Sequence, residues 1–169
     1  MAAHHDQAVE MSVLVRDTSD DPAVRQLALD ILLTQQHQSG QMFGWLAAWG
    51  LPASSTAPAM EWTEHGHGSG DGAADDGEAE HEGPGMPGVA TQDQMALLAE
   101  AEGDEADRLY LALMIPHHVG GVEMAEAAVD EADQPQVRRL AEAIIASQQA
   151  EIALLEQMLD ERGGTPAGL

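Results

Sequence analysis

The sequence predicts an all-α protein, an antiparallel four-helix bundle made of two repeated helical hairpins joined by a long flexible crossover. Three observations carry this expectation. The chain repeats itself, apolar residues recur at helical spacing, and the β-branched alternation that marks strands is missing. Residues 4–46 align without a gap on residues 117–159 at an offset of 113, and sixteen of the 43 positions are identical. Among them are His4/His117, His5/His118, Val9/Val122, Glu10/Glu123, Met11/Met124, Pro22/Pro135, Leu27/Leu140, Ile31/Ile144 and Gln35/Gln148.

Each copy reads as two helices joined by a short acidic turn. Helices are expected near 4–18 and 22–49 in the first copy and near 104–131 and 135–162 in the second, with a short helix around 91–102. Asp21-Pro22 and Gln134-Pro135 place a proline near the first helical position with a polar residue ahead of it to cap free amides. Gly50 and Gly163 then stop the second helix of each pair. In the second copy Val137, Leu140, Ala141, Ile144, Ile145, Ile152, Leu155 and Leu159 form one apolar stripe. Residues 52–90 are rich in Gly, Pro, Asp, Glu, His and Ser, and no basic residue occurs between Arg25 and Arg108. That composition predicts a flexible linker. The organisation is therefore a single domain over 1–169, with a first hairpin at 1–51, the linker at 52–90, and a short helix plus second hairpin at 91–163.

Composition removes whole classes of function. The 169 residues contain no cysteine, which excludes disulfides, thiolate metal sites and cysteine nucleophiles. Thirty acidic residues against six basic ones give a formal charge of −24, which repels phosphate backbones, so no nucleic-acid partner is expected. No apolar run approaches the roughly 18 residues needed to span a bilayer, and Met1-Ala2-Ala3-His4-His5 does not read as a basic region followed by an apolar stretch, so no export signal is expected in these residues. Such an acidic chain suits either the cytosol of a salt-adapted organism or export.

What remains for chemistry is histidine, methionine and carboxylate. On a helical wheel Met114, His117, Gly121, Met124, Ala125 and His118 share a sector about 120° wide, with small residues at its centre. Met1, His4, His5, Ala8, Met11 and Ser12 repeat the pattern in the first copy. Imidazole and thioether donors without carboxylate suit copper or silver. The bland alternative is that the methionines fill core gaps and the histidines are hydrogen-bonded core residues. Retention of the His-His pair and its Met in both halves, where most neighbouring positions differ, favours metal.

The first copy has three residues ahead of His4, so His4 and His5 are expected on a fraying terminus. The second-copy site is then the stronger of the two. Unperturbed imidazoles should make metal affinity fall between pH 7 and 5. Glu10 and Glu123 point away from the His/Met sector. Gln35 and Gln148 fall on the apolar stripe, where each amide needs a partner. A histidine ring held in place for metal is one candidate, and a backbone carbonyl or buried water is another. Glu64-His65-Gly66-His67 and Glu78-Ala79-Glu80-His81 carry a Glu-x-x-His spacing in the linker, where no helix fixes its geometry. Trp45 and Trp49 read as core or cap packing. Nothing in the chain resembles a nucleophile–base pair, a phosphate-binding glycine loop or a dinucleotide fingerprint, so no enzyme is expected.

Met114-Ile115-Pro116-His117-His118, then Val122-Glu123-Met124-Ala125 and Leu140-Ala141 through Gln148, resemble the domain of unknown function 305 family. The resemblance spans both copies and the intervening Gly85-Met86-Pro87-Gly88 segment. It implies a ferritin-like four-helix bundle and an extracytoplasmic copper binder, secreted or held in the cell envelope. The family's Gln-x-x-Glu-Ile survives as Gln148 to Ile152 and is altered in the first copy to Gln35 to Ser39. The resulting expectation is non-enzymatic binding of copper, Cu(I) above Cu(II), or of silver. Its ligands are Met114, His117, His118, Met124, His4, His5 and Met11, and Gln35 and Gln148 support the rings. A ferritin-like oxidase and a metal-free helical interaction module are the alternatives.

Overall fold

In the computed structural model residues 1–54 and 86–169 are described, and they form five helices without a strand. These are α1 (Ala2–Thr18), α2 (Pro22–Ala48), α3 (Gln92–Glu100), α4 (Gly103–Glu131) and α5 (Pro135–Glu161). The repeat accounts for the layout: α1–α2 and α4–α5 are the two hairpins, and α1 packs on α4 to join them. The linker motifs around His65, His67 and His81 lie outside the described residues.

Local chemistry sets most of the boundaries. Asp21 accepts the Ala23 amide at 2.7 Å and Pro22 follows it as the first residue of α2. Gln134 makes no side-chain cap at the equivalent place in α5, because the longer amide does not fold back on its own turn as aspartate does. Thr91 and Gln94 form a reciprocal capping box that starts α3. At the far end of α2, Gly50 takes φ +68° and the Leu51 amide reaches back to the Leu46 carbonyl at 2.9 Å.

The largest apolar cluster joins both hairpins. Met11, Val15, Leu27 and Ile31 from the first copy pack with Leu109, Leu111, Met114 and Leu155 from the second. A smaller cluster of Ala125, Ala141 and Ile144 carries Met1 on its edge. Ser12 and Tyr110 share a buried hydrogen bond of 3.0 Å between α1 and α4, and Arg162 pairs with Asp21 across the hairpin ends. Among the described residues no helix is long and apolar enough to cross a membrane.

Candidate metal centre

Where α1 crosses α4 the two copies meet through their histidines. His4, His5, His117 and His118 are all fully buried. His4 and His117 stack with ring centroids 3.7 Å apart. Within each copy the neighbouring rings hold nearly the same relation: 6.4 Å for His4–His5 and 6.2 Å for His117–His118, both tilted by 55°. The repeat in the sequence has become a local two-fold relation in space. His4 and His5 therefore do not fray as the sequence suggested. Helix α1 already begins at Ala2, and burial against α4 supplies the order that the short upstream segment does not.

The hydrogen bonds decide which ring nitrogen is left over. His117 donates Nε2–H to the His4 carbonyl at 3.0 Å, and His4 donates Nε2–H to the Pro87 carbonyl at 3.1 Å. His118 donates Nε2–H to Glu151 at 2.8 Å. A carbonyl or carboxylate oxygen can only accept, so Nε2 carries the proton in all three rings. Each Nδ1 is then buried without a hydrogen-bond partner among the described residues, and His5 has neither nitrogen paired. Metal-binding histidines show this division of labour, one nitrogen tied to a carbonyl or carboxylate and the other presented to the ion.

Burial also keeps His4, His5 and His117 neutral. Desolvation lowers the pKa of His4 to about 2, with further lowering by the neighbouring His117 ring. The same burial brings His5 to about 3 and His117 to about 4. The expected loss of affinity between pH 7 and 5 is thereby corrected for these three rings, which carry no extra proton to be displaced in that range.

The methionines divide around the rings. His4 lies against His117 and Ser12 against Tyr110, so α1 and α4 run antiparallel. That register places Met11 and Met114 on one side of the histidines and Met1 and Met124 on the other. Met11, Met114 and Met124 are buried. Met114 and Met124 are ten residues apart on α4, about 15 Å along the axis at the usual helical rise, too far to share one ion comfortably. Grouping by helix face alone had joined them. Met11 shares the main cluster with Met114.

Among the described residues no three His, Asp or Glu side chains converge as a ready-made metal cage. A soft ion taking few ligands, with thioethers completing the set, fits these donors better than zinc, which asks for four.

Neither the bond from His118 to Glu151 nor the Pro87 carbonyl as the acceptor of His4 was anticipated. Glu151 had a signal, since it is the second-copy counterpart of Gln38, which lies beside His5. The Pro87 carbonyl had an indirect one in the glycines that let it approach. A Cβ on Gly120 would stand 2.0 Å from the Pro87 oxygen, and one on Gly88, which has φ +73°, would stand 2.0 Å from the Pro116 oxygen. Gln7 pins the same segment to α1 through two bonds with Ala90, at 2.9 and 2.8 Å. Gln35 and Gln148 are buried with amides unpartnered among the described residues, and Gln148 lies against Gly121. Glu10 and Glu123 are exposed. Trp45 and Trp49 stack at 6.2 Å where α2 ends, with Trp49 exposed.

The fold and this centre define a class: helical bundles built by duplication of a His/Met-bearing hairpin. The chain belongs to the DUF305 family, a domain of unknown function whose model matches residues 1–159. It is similar over its whole length to a presumed secreted DUF305 protein from Streptomyces coelicolor, at 41% identity, with 93% of that chain covered and a TM-score of 0.85. CopM in its Cu(II)-bound form is 28% identical, with 95% of this chain and 91% of that one covered and a TM-score of 0.69. An uncharacterized protein, L153 of Acanthamoeba polyphaga mimivirus, is 43% identical over 56 residues, which are 33% of this chain and 37% of that protein.

Proposed function

We propose that this protein binds and sequesters copper or silver, without catalysis, through the histidine cluster at the α1–α4 crossing and the methionines on either side of it. The observation that carries the reading is the set of buried, unpartnered Nδ1 atoms on His4, His117 and His118, each on a ring whose Nε2 proton is already committed. An unmet buried acceptor costs stability on the order of 1–3 kcal/mol, and an ion that satisfies several of them offsets that cost. Cu(I) is the favoured cargo because thioether sulfur and neutral imidazole match a soft cation. The relative CopM, in Cu(II)-bound and Ag-bound forms at 28% and 25% identity, supports the same class of ion. The likeness to the presumed secreted Streptomyces protein supports a place outside the cytoplasm.

Competition titration of tag-free protein against a Cu(I) chelator and a Zn(II) chelator tests the proposal. Cu(I) should be held more tightly than Zn(II). Equal or stronger zinc binding, or no uptake of either, would overturn it. A di-iron centre in the purified protein would instead support the oxidase reading.

A further inference from the structure

The two halves of the histidine cluster differ at one place that touches a ring. His118 donates to the Glu151 carboxylate, whereas the equivalent ring, His5, lies beside the neutral amide of Gln38. Position 38 plus the repeat offset of 113 is position 151, so the folded chain holds the same structural site in a charged and an uncharged version. From this we infer that Glu151 is a positioning residue that makes the halves unequal. It locks His118 with its proton on Nε2 and Nδ1 free, and it gives that half a negative charge that favours a divalent over a monovalent ion. The inference rests on the copper-or-silver reading and adds to it a ranking of the halves and a charge preference.

Two physical effects lie behind it. A carboxylate accepting from Nε2–H leaves only Nδ1 for the ion, and it increases the donor strength of that nitrogen. An amide can accept from an imidazole N–H or donate to a bare imidazole nitrogen, so Gln38 leaves the tautomer of His5 open. The carboxylate also attracts a bound cation in proportion to the cation's charge, across a buried ring where screening is weak. Glu151 is partly exposed, 21% at its side chain, so its charge is tolerated at the bundle surface while its hydrogen bond points inward. The hydrogen bonds made by His4 and His117 go to neutral groups, the Pro87 and His4 carbonyls.

Glu151→Gln tests the inference with little risk to the fold, because it installs in the second copy the residue the first copy already has. Without metal, ¹⁵N shifts of the full chain should show His118 as a pure Nε2–H tautomer in the wild type and as a mixture in the variant. With Cu(II) and Ag(I) as separate probes, the variant should lose affinity for Cu(II) by about 10–100-fold and for Ag(I) by markedly less. Gln38→Glu should raise Cu(II) affinity and fix the tautomer of His5. A wild type that binds neither ion would defeat the proposed function. A wild type that binds both, with a Glu151→Gln variant that keeps the tautomer of His118 and the Cu(II)/Ag(I) ratio, would defeat this inference alone. Equal losses for the two ions would overturn the charge preference.

Discussion

The rings of His4 and His117, one from each copy of the repeat, stack at 3.7 Å, and the His4 carbonyl accepts the Nε2–H of its partner at 3.0 Å. One of the contacts that join the hairpins is therefore also the middle of the candidate metal centre. His4→Ala and His117→Ala should each cost on the order of 2–4 kcal/mol, combining a cavity with a lost buried hydrogen bond. Because the rings share one stack, the double variant should cost less than the sum. A urea-denaturation cycle measures this, and strict additivity would show that the rings do not act together.

Acid should weaken the apo protein early. The unfolded chain takes up protons on histidine near pH 6.5, while burial keeps native His117, His5 and His4 unprotonated down to about 4, 3 and 2. The unfolded state therefore binds more protons below pH 6.5. Stability that is complete above that value is lost as the pH falls toward the native values, at about 1.4 kcal/mol per unit per ring. At pH 5 the three rings together amount to several kcal/mol. Melting temperatures at pH 7, 6 and 5 check this, and an unchanged or rising value would contradict the burial of neutral rings.

The tight approach of residues 87–88 to α4 gives a pair of glycine variants with different outcomes. Gly120→Ala would drive a methyl into the Pro87 carbonyl, which is backbone, and should cost about 1–3 kcal/mol while displacing the acceptor of His4. Gly121→Ala meets the end of the Gln148 side chain at 2.2 Å, which can swing aside. It should cost less. Denaturant midpoints of the two variants test the ranking, and the reverse order would show that the Pro87 segment is not held against the helix.

Much of this was legible in the residues. The offset of 113 predicted two equivalent hairpins, and the glycine and proline signals placed their ends within a few residues, because these boundaries depend on local chemistry. The His/Met face was legible because side chains on one helix obey one period. Relations between helices were not. Wheel geometry ignores height, so it joined Met114 with Met124, although the antiparallel crossing puts Met11 on the side of Met114. The lowered pKa of His4, His5 and His117 is not legible for the same reason, since an isolated helix gives no measure of how far the partner helix excludes water. The Pro87 acceptor is a backbone carbonyl, which has no residue signature beyond the glycines that let it approach. Glu151 could have been found by asking which position of the repeat turns charged beside the His-His pair.

The central claim is that metal enters through the Nδ1 atoms of the buried histidines, and ¹⁵N-detected titration of the ring nitrogens with Ag(I) tests it most directly. The Nδ1 resonances of His4, His117 and His118 should move or broaden together at pH 7 while their Nε2 protons remain in place, and those of His4 and His117 should do so at pH 5 as well. Perturbation at Nε2, or histidine resonances untouched while silver binds, would contradict it.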